Sequence, residues 1–122
     1  MSEHRVLEPP AALNMRLTLS VHKTVHRVDD GFVWTTRTPE GPASVQIRPG
    51  VTKIELNGWG DGAQWALKQC PSLLGFDDKP ELFVPVHDSL TDLARQNPGL
   101  RIGASGRAWE VLFWAILGQK VQ

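Results

Sequence analysis

The sequence predicts an α+β fold, an antiparallel β-meander with two helices packed on it, followed by one helix of a different character. Three observations carry this reading. Between residues 15 and 57, apolar residues recur at every second position, as in strands with one buried and one wet face. The links between these segments are too short for parallel crossovers, so the sheet is antiparallel. After Gly58 the apolar spacing changes to three and four, the period of a helix.

Taken in order, residues 1–14 read as an extension ahead of the sheet. Met15, Leu17, Leu19 and Val21 alternate with Arg16, Thr18, Ser20 and His22, which predicts a first strand. Asp29-Asp30-Gly31 is a turn signal, and Phe32 to Thr38 is rich in β-branched and aromatic residues. Pro39-Glu40-Gly41-Pro42 breaks that strand. Ala43, Val45 and Ile47 then share one face, with Ser44, Gln46 and Arg48 on the other. Pro49-Gly50 is a tight-turn dipeptide, because proline presets φ and glycine accepts positive φ. The fourth strand, Val51 to Asn57, turns Thr52, Ile54 and Leu56 inward.

Asp61 is the expected N-cap of the first helix, whose stripe is Ala63, Ala66, Leu67 and Cys70. Pro71 is expected to stop it. Residues 72–85 read as irregular. A second helix runs from near Asp88 to Gln96, with Leu90, Leu93 and Ala94 as its stripe, and Asn97-Pro98-Gly99 ends it. A third starts near Arg107, and from Ala108 to Leu117 its only polar residue is Glu110.

This third helix is the most informative segment. A helix on the surface of a small domain shows one apolar stripe; one that is apolar all round belongs inside a larger helical body. Trp109, Leu112, Phe113, Trp114, Ile116 and Leu117 point in nearly every direction around the axis. Each large side chain left wet forfeits about 1.5–3 kcal/mol of burial. One sheet face and two short helices cannot surround it. The sequence ends at Gln122, directly after it, so the expectation is a chain cut short of the helices that pack there. Burial in a homodimer is the alternative.

Charge and cysteine content narrow the class. Thirteen basic and thirteen acidic residues give no net charge, unlike the basic excess of a free-standing DNA binder. The single cysteine cannot form an internal disulfide. The longest apolar run, Val111 to Leu117, is far too short to span a bilayer. A soluble, cytoplasmic chain without membrane partners is expected.

Other site signals are weak. Gly58-Trp59-Gly60-Asp61-Gly62-Ala63 fits G-x-G-x-x-A between a strand and a helix. The antiparallel context offers no βαβ unit, and Asp61 repels a pyrophosphate, so no nucleotide cofactor is expected. His22 and His26 lack a third ligand at metal spacing, so no metal is expected. Cys70 completes a helix stripe and reads as core.

Asn97-Pro98-Gly99-Leu100-Arg101, a glycine-rich link, Trp109-Glu110, and Ala115-Ile116-Leu117-Gly118-Gln119-Lys120-Val121 together resemble the helix-hairpin-helix DNA glycosylases. Within that family the chain looks most like the 3-methyladenine DNA glycosylases of type II. Arg37 to Pro42 and Gln64 to Leu67 are similar to the N-terminal domain of bacterial members. The resemblance implies an α+β N-terminal domain over 15–100, like half of the TATA-binding-protein fold. Residues 101–122 are then the linker and first helix of the catalytic helical domain. It implies a hydrolase that removes alkylated bases from double-stranded DNA in base excision repair.

In the family, the end of this first helix faces the minor groove, which puts Gln119 and Lys120 at the DNA. The best-known relatives carry an apolar wedge where this chain has Lys120; a lysine there suits a phosphate contact instead. The hairpin, the base pocket and the catalytic aspartate lie beyond Gln122, so no catalytic residue is assigned and the chain alone is expected to be inactive. None of the aspartates present matches the catalytic motif. The alternative is a non-enzymatic interaction module docking through its apolar C-terminal helix. Trp109, Phe113 and Trp114 are then the surface for self-association.

Overall fold

The computed structural model describes residues 2–119. Five antiparallel strands form one sheet: β1 (Ser2–Leu7), β2 (Val25–Val28), β3 (Gly31–Thr38), β4 (Gly41–Pro49) and β5 (Ile54–Trp59). Their order is β1-β5-β4-β3-β2. The meander of β2 to β5 is therefore extended by the N-terminal strand, which pairs with β5. Helix α1 (Met15–Leu19) links β1 to β2, and α2 (Ala63–Leu73) follows β5. After the 3-10 turn Pro80–Leu82 come α3 (Asp88–Gln96) and α4 (Ala108–Gly118). The fold class is the expected α+β meander with packed helices.

The inward alternation of β3 to β5 holds residue by residue. Trp34, Val45, Ile47, Ile54 and Leu56 are buried, and α2 lays Ala66, Leu67, Cys70 and Leu73 against them. The β3–β4 turn is closed by Thr38, whose hydroxyl donates to the Gly41 carbonyl (2.8 Å) and accepts from the Glu40 amide (3.1 Å). β5 begins at Ile54 rather than Val51; Thr52, expected inward, is exposed in a turn closed by the Gly50 amide on the Lys53 carbonyl (2.8 Å).

Four expectations are corrected. Residues 15–21 are not a strand. Asn14 caps α1, its side chain accepting from the Leu17 amide at 3.1 Å, and the buried residues are Thr18 and Leu19. Residues 2–7, expected within an extension, form the edge strand β1. Pro71 does not stop α2, which continues to Leu73. Proline removes the amide that would bond the Leu67 carbonyl, and Arg5 of β1 fills the gap from Nη1 at 3.0 Å. The N-cap of α2 is Gly62, not Asp61, and it makes no side-chain cap bond.

Candidate functional site

The segment expected to lead into a catalytic domain is tied firmly to the sheet domain. The Asn14 amide donates to the Gly99 carbonyl at 2.7 Å. Gly99 has φ +79°, and a Cβ there would lie 2.7 Å from the Asn14 nitrogen, so this position needs glycine. Arg101 is the central fastener. Its Nε donates to the Ala12 carbonyl (2.9 Å), and its Nη1 to the carbonyls of Gly75 (3.2 Å) and Asp78 (2.8 Å). Its amide donates to the Thr18 hydroxyl at 3.2 Å. Asp78 in turn accepts from the Ile102 amide (2.8 Å), and the Ala104 amide donates to the Ser72 carbonyl (2.8 Å). A planar guanidinium with several fixed donors suits three carbonyls arriving from separate segments.

Beyond this fastening, α4 stands clear of the core. Trp109, Val111, Leu112, Phe113, Trp114, Ile116 and Leu117 are each between 43% and 75% exposed, and no α4 residue is buried. Phe113 and Trp114 meet edge-on with ring centres 6.1 Å apart. The helix touches the sheet through its one acid: the Thr36 hydroxyl donates to a Glu110 carboxylate oxygen at 2.9 Å. An apolar patch of this extent on a small domain marks a surface that something covers.

Gln119 sits exposed just past the end of α4, its amide donating to the Ile116 carbonyl (3.3 Å). Lys120 lies outside the described residues. Gly62 lies so close to Thr38 and Gly41 that any Cβ would collide with both. The glycines of the Gly58–Ala63 segment thus let α2 approach the sheet, in an antiparallel setting. His22 is half-buried in the turn after α1, not on a strand face, and burial pushes its pKa below 6.5. His26 is exposed on β2. Among the described residues no three His, Cys, Asp or Glu side chains cluster as a metal site. Cys70 is fully buried, and burial pushes its thiol up to about 12.

Between α4 and the turn over 21–24 runs a groove of about 1140 Å³ whose floor is the glycine-rich link 103–107. Its only sequence signal is a pair of cations, Lys23 and Arg107, each beside an apolar segment.

Among the described residues, no helix is long and apolar enough to cross a membrane. No protein-family model matches the chain, and no curated protein matches it.

Proposed function

We propose that this chain is the N-terminal α+β domain and first catalytic-domain helix of a helix-hairpin-helix DNA glycosylase that excises alkylated bases. The single observation that supports the reading most is α4. It is apolar on every side and held by the Pro98-Gly99-Leu100-Arg101 segment to a sheet domain too small to surround it. A helix of this kind belongs at the centre of an α-helical body, and in the family that body carries the chemistry.

On this reading the sheet domain has no part in bond cleavage. Glycosidic cleavage needs a carboxylate against the departing sugar, a pocket for the flipped base and a clamp on a DNA phosphate. The contribution of this chain is Gln119 and Lys120 at the helix end, facing the minor groove. Helix amides at the hairpin of the covering body hold the phosphate.

The direct test is the genomic reading frame that contains these codons. A helix, a glycine-rich hairpin, a second helix and a following aspartate in frame after residue 122 support the proposal. A frame without them leaves the second reading, a non-enzymatic docking module, which the exposed Trp109, Phe113 and Trp114 favour.

A further inference from the structure

The groove beside α4 has a definite chemistry. One wall is apolar, formed by Val111, Leu112 and Ala115 of α4, with Val21 opposite. Its polar groups are not neutral on balance. Lys23 and Arg107 line it as cations, and neither forms an ion pair among the described residues. Its one carboxylate, Glu110, already accepts from Thr36. Two groove side chains are also incomplete: Arg107 Nε and His22 Nε2 are buried with no hydrogen-bond partner among the described residues. An Arg Nε–H buried without an acceptor is costly, so native structures supply one.

We infer that this groove seats an acidic amphipathic helix, whose apolar stripe lies on Leu112 and Ala115 and whose carboxylates meet Arg107 and Lys23. The inference deepens the proposed function, since on that reading the helix belongs to the covering catalytic body; its test depends only on charge and shape. One wall of the groove is itself a helix and the opposite wall a turn, with the glycine-rich link between them. A second α4 is a poor occupant. Its one acid is Glu110, already bonded to Thr36, and it would bring a second Arg107 to the same place.

The test uses two synthetic amphipathic helical peptides with the same leucine stripe, one with glutamate on its polar face and one with lysine. Binding to the 122-residue chain is followed through the fluorescence of its tryptophans at low salt. The glutamate peptide is expected to bind about five- to tenfold more tightly, as two partly desolvated ion pairs provide. Arg107→Gln and Lys23→Gln are each expected to shrink that preference. Lys23 is exposed, so its variant remains informative if Arg107→Gln impairs folding. Equal affinities, a preference for the lysine peptide, binding of neither, or a preference unchanged by Lys23→Gln would overturn the inference. So would a dimer in sedimentation that Leu112→Glu dissociates and Phe113→Glu does not, since its seam would then run through the groove rather than the Trp109–Phe113 face. A peptide preference without any glycosylase activity in the parent protein would refute the proposed function and leave this inference standing.

Discussion

Arg5 donates from Nη1 to the main-chain carbonyl of Leu67 at 3.0 Å, and that carbonyl is available because position 71 is proline. The contact joins residues far apart in sequence and fixes the N-terminal edge strand to the middle of α2. It also explains why a proline inside a helix is tolerated: the acceptor it orphans is satisfied from another element.

Arg5→Met should therefore destabilise the domain by about 1–2 kcal/mol, the cost of leaving a part-buried carbonyl unpaired. In a Pro71→Ala background the new amide can serve Leu67 from within the helix, and the same Arg5→Met change should cost less. Urea denaturation of the four variants measures the coupling. Additive losses would show that Arg5 and Pro71 act independently.

Arg101→Lys should cost about 1–2 kcal/mol although it keeps the charge. A lysine ammonium cannot reach the Ala12, Gly75 and Asp78 carbonyls together. Hydrogen exchange should show the loss first in residues 97–106. A change confined to global stability, with no local loosening there, would contradict the fastening role.

The Cys70 thiol should be silent in the native state, since burial raises its pKa from 9.0 to about 12. A group whose folded pKa is raised gives full stability below its unfolded value and loses it as pH climbs from there toward the folded one. Labelling by a thiol reagent should follow global unfolding, and the alkaline loss of stability above about 9 should be smaller in Cys70→Ala. Rapid stoichiometric labelling of folded protein would refute the burial.

Much of the fold was legible, and the misses have physical causes. In β3 to β5 the alternation is clean because α2 covers one face and the other is wet. Residues 15–21 fit a strand only if Thr18 counts as solvated. Buried Thr18 instead makes Met15, Thr18 and Leu19 a helical face, and its hydroxyl accepts from the Arg101 amide. That partner lies too distant in sequence for any local pattern to reveal. The edge strand β1 was hidden for a similar reason: Glu3 and Arg5 occupy its inward positions, and Arg5 is there to reach Leu67. Of the candidate site, the unusual character of α4 was plain from composition, whereas the groove beside it depends on a turn more than eighty residues earlier.

The exposed aromatic surface of α4 should govern solution behaviour. The 122-residue chain should self-associate through Trp109, Phe113 and Trp114, and a chain ending at Gly106 should stay monomeric and folded. Sedimentation across a dilution series measures both. A monomeric long chain beside an aggregating short one would show that α4 protects the sheet domain.

If α4 belongs to a base-excising domain, as proposed, release of methylated purines from alkylated duplex DNA should reveal it. Two proteins are compared, residues 1–122 and the polypeptide extended through its native downstream reading frame. Release by the extended protein alone is expected. On the proposed reading the carboxylate, pocket and phosphate clamp that cleavage needs belong to the covering body, and with no net charge the short chain should bind DNA weakly at physiological salt. Turnover by the short chain would reveal a catalytic site within it. No release by the extended protein from any alkylated base would contradict the glycosylase reading itself.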